Sequence, residues 1–228
     1  MKKLAIIPAR GGSKRIPRKN VKDFCGKPIV SYSIEIALKS GLFDEVMVST
    51  DDDEIAEISK SFGASVPFLR SKKKSDDFAT TVDVIQEVLR SYSEIKKHFD
   101  YVCCIYATAP LINVESIIKG FDKLVREKRV SVFPVVEFSY PIWRGVSIKE
   151  GGKVEMIWPK FLNARSQDLD KVYHDAGQWY WINNELFASD RNLFSANSGC
   201  IELSEMNVQD IDNETDWLLA ELKFKILN

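Results

Sequence analysis

The chain predicts an α/β fold, a mostly parallel sheet flanked by helices, and three observations carry that prediction. Strand-like runs alternate with helical periods along the first half, as where Val46-Met47-Val48-Ser49-Thr50 is followed by Ile55, Ile58 and Phe62 at helical spacing. The run from Tyr101 to Tyr106 is apolar without alternation, which suits a central strand buried on both faces. The 228 residues, 45% of them hydrophobic, suffice for one full core and a modest appendage.

Element by element, Leu4 to Pro8 is the first strand. Ile29, Tyr32, Ser33, Ile36 and Ala37 keep a helical period that Gly41 ends as a left-handed cap. After the strand at Val46, Asp51 to Asp53 cap a helix that stops at Gly63, and Val66-Pro67-Phe68-Leu69 reads as a short strand. Thr80 or Thr81 caps the next helix, whose stripe is Val82, Ile85, Val88, Leu89 and Tyr92. A helix through Ile117, Ile118, Phe121, Leu124 and Val125 and a strand from Val130 to Val136 follow the central run. From Ser139 to Asp175 the texture changes: Gly151-Gly152, short apolar pieces and many aromatics predict a hairpin-like excursion. The core pattern resumes at Gly177 to Ile182 and closes with Cys200 to Leu203 and a terminal helix carrying Trp217, Leu218, Leu219, Leu222 and Phe224. The expected organisation is one domain over 1–228, with 139–175 the excursion.

Composition excludes several function classes. A net charge of -1 leaves no broad basic face, so nucleic-acid binding is not expected. Cys25, Cys103, Cys104 and Cys200 have no metal-ligand spacing and read as reduced, buried small residues of a cytoplasmic protein. The apolar stretch before Arg10 is too short for a signal-peptide core or a membrane span.

The basicity is local. Straight after the first strand come Ala9-Arg10-Gly11-Gly12-Ser13-Lys14-Arg15-Ile16-Pro17-Arg18-Lys19-Asn20, five cations in ten residues interleaved with glycines and a proline. Glycines let backbone N–H groups approach an anion, and Arg10, Lys14, Arg15, Arg18 and Lys19 supply charge to neutralise a triphosphate. Neither the G-x-x-x-x-G-K-[ST] nor the G-x-G-x-x-G spacing occurs.

Three further constellations carry chemistry, each with a plainer alternative. Asp210-Ile211-Asp212 would present two carboxylates on one face if extended, suiting magnesium; composition alone favours the plainer reading, in which the pair starts a helix with Asn213 as the cap. Arg165-Ser166-Gln167-Asp168 and Tyr173-His174-Asp175-Ala176-Gly177-Gln178 could hold a polar, acidic substrate, or form a surface loop. Ser49-Thr50-Asp51-Asp52 lies where open parallel sheets bind ligands, and helix capping explains it equally well. Lys72-Lys73-Lys74 reads as a solvated charge run, whereas Arg70 directly ends a strand.

Together, Ile7-Pro8-Ala9-Arg10-Gly11-Gly12-Ser13-Lys14, Pro17, Lys19-Asn20, Gly26-Lys27-Pro28, Ser49-Thr50-Asp51-Asp52 and Asp210-Ile211-Asp212 resemble the cytidylyltransferases that activate nine-carbon acidic sugars, the CMP-sialic acid synthetase family. Cys103 to Pro110, Arg165 to Leu169 and Tyr173 to Gln178 are most similar to the bacterial branch that acts on pseudaminic acid. The resemblance implies a single Rossmann-like nucleotidyltransferase domain, a homodimer built through the excursion, and a reaction of CTP with a keto-sugar acid giving a CMP-sugar and pyrophosphate. It further implies catalytic roles for Lys19, Arg10 and Asp212. Nucleotide binding would fall to Ala9, Arg10, Gly11, Gly12, Ser13, Lys19, Asn20 and Arg70. Mg2+ would be held by Asp210 and Asp212. The sugar would be met by Tyr106, Arg165, Gln167, His174, Asp175 and Gln178. Synthetases for N-acetylneuraminic acid usually carry glutamine where this chain has Tyr106. The alternatives are the same reaction on legionaminic or N-acetylneuraminic acid, and a non-catalytic nucleotide-binding scaffold.

Overall fold

The computed structural model describes residues 1–71, 74–75 and 79–228. In chain order the elements are β1 (Lys3–Pro8), β2 (Asp23–Phe24), β3 (Lys27–Pro28), α1 (Ile29–Lys39), β4 (Glu45–Ser49), α2 (Asp53–Ser61), α3 (Thr81–Glu94), β5 (Tyr101–Ile105) and α4 (Val114–Arg126). Then follow β6 (Ser131–Glu137), β7 (Val146–Ile148), β8 (Val154–Met156), β9 (Tyr173–Asp175), β10 (Trp179–Asn183), α5 (Asn184–Asp190), β11 (Ser198–Leu203) and α6 (Glu214–Leu227).

The main sheet runs β11-β6-β10-β5-β1-β4, with β9 also on β6. Pairs β1·β4, β1·β5 and β6·β11 are parallel, whereas β10 runs antiparallel between β5 and β6. Both faces are covered. Ala5, Ile7, Val48, Cys103, Ile105, Trp179 and Trp181 face α1, α2 and α4 on one side. Leu4, Ile6, Met47, Val102, Cys104, Tyr180 and Ile182 face α3 and α5 on the other. Burial on both faces explains why these strands show no polar alternation. Gly120 of α4 lies so close to the sheet that a Cβ there would sit 2.4 Å from the Trp179 ring.

Caps fall largely where the sequence puts them. Asp52 caps α2 through Ile55 N at 3.0 Å, and Thr80 opens α3 with a capping box to Asp83. Gly41 and Gly63, at φ 63° and 94°, take the left-handed turn after α1 and α2.

Three expectations need correction. Val66 to Leu69 is no strand: the chain touches the sheet edge at Ser65, bridged to Met47, and again at Arg70, whose N donates to Thr50 O at 2.7 Å. Pro67 between them lacks the donor that a ladder needs. The cysteines are free but not uniformly buried: Cys200 is exposed and Cys25 partly so. Lys72 and Lys73 of the charge run lie outside the described residues, while Lys74 faces the cavity described below and pairs with Asp83.

Beyond β6 the chain leaves the sheet. β7 and β8 form a small hairpin whose turn needs Gly151 and Gly152 at φ 72° and 76°. Its base is an aromatic cluster in which Trp143 meets Trp158 and Phe161 at 5.5 and 5.4 Å. Tyr173–Asp175 rejoins the sheet as β9. No helix among the described residues is long and apolar enough to cross a membrane.

Candidate active site

The basic loop leaves β1 at the C-terminal ends of the parallel strands. Ala9 N donates to Ser49 O at 2.9 Å, and Gly11 N donates to Asp51 Oδ1 at 3.0 Å. Buried Asn20 returns the loop to its start, its Nδ2 donating to Arg10 O at 2.8 Å. Arg18, left-handed at φ 55°, turns away from the cavity to chelate Asp52 at 2.5 and 3.1 Å and to reach Glu54. The Arg18 hydrogen bond holds the Asp52 carboxyl below the usual range. Arg18 is thus a strut between the loop and α2, which corrects its assignment as a phosphate cation.

The remaining cations converge. A cavity of about 360 Å³ is lined by Arg10, Lys14, Arg15, Lys19, Arg70 and Lys74, with no carboxylate among its described walls. Opposite stand Thr80, the cap of α3, Thr81 at its start, and Tyr106, Ala107 and Thr108 after β5. Arg70 is 8% exposed; its guanidinium donates to Ser49 Oγ at 3.0 Å and to Ser49 O. Burial lowers the pKa of Arg70 and of Lys19. A concave, partly desolvated site walled by six cations, with Arg15 and Lys74 held by Asp212 and Asp83 from outside the wall, is suited to a polyanion.

The acidic pair lies beside it. Asn213, not either aspartate, caps α6, and Asp216 completes the capping box. Ile211 is fully buried, pinning the segment between Asp210 and Asp212. Lys19 Nζ donates to Ile211 O at 2.6 Å, and Arg15 pairs with Asp212 at 2.6 Å. Burial, then the neighbouring Asp212 charge, raises the Asp210 pKa. No group of three or more metal-ligating side chains occurs among the described residues. Two hard carboxylates, crowded and free of capping duty, fit a magnesium ion that takes the rest of its shell from phosphates and water.

The residues expected to meet the sugar are dispersed. Tyr106 is in the cavity wall, its hydroxyl 2.8 Å from Thr81 Oγ1. Asp175 accepts from Gly177 N at 3.0 Å and from the Tyr180 hydroxyl. Gln178 is 2% exposed; its Nε2 donates to Asn207 O at 2.5 Å, and its Oε1 has no partner. His174 is exposed on β9 against Phe138. Arg165 pairs locally with Asp168 at 2.7 and 3.1 Å, and Gln167 lines a separate hollow beside β6; neither reaches the cavity of its own chain.

Of the residues expected to hold the nucleotide, Arg10, Ser13, Lys19, Asn20 and Arg70 line the cavity, and Ala9 is buried behind it. Gly11 packs instead on Asp52, where a Cβ would come within 2.6 Å of Oδ2, and Gly12 faces open space. Lys74, Thr81 and Thr108 were missed. Lys74 stood in a run of like charges and Thr81 beside a helix cap, and each has an ordinary explanation until the fold turns it inward.

The cytidylyltransferase family model matches residues 4–209. This chain belongs to the cytidylyltransferase family. The match runs from β1 to the residue before Asp210. As a cytidylyltransferase, the chain is a CTP-dependent nucleotidyltransferase. It is 45% identical to the pseudaminic acid cytidylyltransferase of Campylobacter jejuni subsp. jejuni serotype O:2, over 99% of this chain and 97% of that one. It is 30% identical to the CMP-N,N'-diacetyllegionaminic acid synthase of Legionella pneumophila, over 97% and 95%. Its fold is that of a solved CMP:2-keto-3-deoxy-manno-octonic acid synthetase complexed with CTP, with a TM-score of 0.71, 17% identity and coverage of 100% and 99%.

Proposed function

We propose that this cytidylyltransferase activates pseudaminic acid: CTP and the sugar acid give the CMP-sugar and pyrophosphate. The observation that carries the nucleotide half is the cavity walled by six cations and no described carboxylate. Similarity to the Campylobacter enzyme over nearly the whole chain supports the choice of sugar, and Tyr106 in the wall agrees with it.

Transfer of a cytidylyl group demands positioning and charge neutralisation. The anomeric hydroxyl oxygen bonds to the α-phosphorus as the bond to pyrophosphate breaks, and the hydroxyl proton is released. Arg10 and Lys19 neutralise the triphosphate, and Arg70 fixes the nucleotide side. Asp210 and Asp212 would hold magnesium, which would organise the phosphates and acidify the attacking hydroxyl. Lys19, tethered to Ile211 O between these two carboxylates, keeps the cationic and anionic halves of the site in register.

Two copies complete the protein in this reading, in the cytoplasm. The excursion carries Tyr140, Ile148, Val154 and Leu162 at 85%, 78%, 61% and 63% exposure, an apolar arm that a second copy would cover. Pairing would also bring Arg165 and Gln167 toward the partner's cavity. Ile148→Glu should convert a dimer in size-exclusion chromatography with light scattering to a monomer.

The deciding assay is pyrophosphate release from CTP with magnesium, offering pseudaminic, legionaminic and N-acetylneuraminic acids in parallel. Strong preference for pseudaminic acid is expected. Preference for another of the three would overturn the sugar assignment, and no turnover with any would overturn the function.

A further inference from the structure

Tyr106 borders the cavity, but behind it stands a group that no ligand can reach. Tyr180, 2% exposed, pairs in register with Cys104 across the antiparallel β5·β10 ladder. That places it diagonally behind Tyr106, whose N donates to Gln178 O at 2.8 Å. The two rings lie 5.4 Å apart at 50°, and Phe133 at 5.9 Å closes the far side of Tyr180. The Tyr180 hydroxyl donates to Asp175 Oδ2, and Asp175 Oδ1 is itself held by Gly177 N at 3.0 Å. At its outer end the chain finishes on the 2.8 Å contact between the Tyr106 hydroxyl and Thr81 Oγ1, both at the cavity surface.

We infer that Tyr180 and Asp175 are positioning residues for sugar selection, acting through Tyr106 rather than by touching the substrate. Asp175 fixes the Tyr180 ring by its hydroxyl, the ring sets the tilt of Tyr106, and Tyr106 presents its hydroxyl beside Thr81 where the sugar's substituents must pass. A pocket that tells epimers apart depends on such fixed hydroxyl placements, because an unmatched buried polar group is costly. The inference rests on the proposed reading that Tyr106 faces the sugar, and it moves Asp175 from substrate contact to support.

The test uses the full chain and the variants Tyr180→Phe, Asp175→Asn, Tyr106→Phe and the Tyr106→Phe/Tyr180→Phe double. Tyr180→Phe should raise the KM for pseudaminic acid about tenfold while leaving the KM for CTP within about twofold, and Asp175→Asn should do the same. In the Tyr106→Phe background Tyr180→Phe should add nothing. An unchanged sugar KM, or the same factor in both backgrounds, would overturn the inference. Crystal structures of wild type and Tyr180→Phe without ligand supply a readout that needs no turnover. Displacement of the Tyr106 hydroxyl from Thr81 supports the inference and an unmoved Tyr106 overturns it. Failure of the wild-type assay alone counts against the proposed function and leaves that crystallographic comparison to decide this point.

Discussion

Lys19 Nζ lies 2.6 Å from the carbonyl oxygen of Ile211, 192 positions along the chain. The contact joins the basic loop after β1 to the acidic segment before α6, so neither half of the site is placed without the other. Lys19→Ala should therefore cost about 10²- to 10³-fold in kcat, as loss of a preorganised charge donor does. The protein should stay folded by circular dichroism. Unchanged turnover would favour a scaffold role for the loop.

Burial lowers the Lys19 pKa, against the pull of Asp212 and Asp210. The sign is opposite for stability and for activity. The folded chain binds this proton less tightly than the unfolded chain, so stability rises with pH between the folded value and the ordinary lysine value of about 10.4. In the proposed role Lys19 meets the triphosphate as a cation, so kcat/KM for CTP should fall on the alkaline side at a pH below that value. A pH profile of Lys19→Arg should lack this limb, because a guanidinium keeps its proton.

Asp212→Asn removes one carboxylate of the pair proposed to hold magnesium and releases Arg15. Its kcat should fall by about 10²-fold or more, with a higher magnesium concentration needed for half-maximal rate, and chelation should abolish wild-type turnover. Asp216→Ala breaks the α6 capping box and also the hydrogen bond that Asp216 Oδ2 accepts from Asp212 N at 2.9 Å, so it should lower the melting temperature and raise the magnesium requirement by less than Asp212→Asn does.

Asp52 serves α2 and the basic loop at once. Asp52→Ala loses the cap and the Arg18 chelate and should cost about 1–2 kcal/mol, measured by urea unfolding, with an accompanying rise in the KM for CTP. Gly11→Ala, which drives a Cβ onto the Asp52 carboxylate, should raise that KM with a smaller loss of stability.

Gly120→Ala separates propensity from packing. In an open helix the change would stabilise by roughly 1 kcal/mol. Here the methyl group meets Trp179 at 2.4 Å and should destabilise by about 1–3 kcal/mol in thermal or urea unfolding.

The fold was legible where a residue's neighbours in sequence decide its conformation. Apolar runs such as Tyr101 to Ile105 and caps such as Asp52 and Thr80 depend on short spacings, and they fell in place. The antiparallel sense of β10 did not show, because Trp179 to Asn183 is buried from both sides like its parallel neighbours and carries no mark of direction. The site divides in the same way. Arg10 and Lys19 announce themselves by crowding with glycines. Arg18, in the same crowd, is claimed by Asp52 and Glu54, and only the turn at φ 55° reveals it. Conversely, Lys74 shows its place in the cavity wall only in three dimensions, where it pairs with Asp83 of α3.

The tie between Lys19 and Ile211 also bears on how the molecule assembles. Local helices and the β1·β4·β5 ladders involve segments that meet early along the chain, whereas this closure must wait for a very long loop to be drawn shut. The recess for the polyanion is therefore shaped in part by a contact that spans 192 positions, and lifting α6 away would open it. A bound nucleotide would act as a rivet through the two distant segments, so occupancy and the integrity of the C-terminal helix rise and fall together.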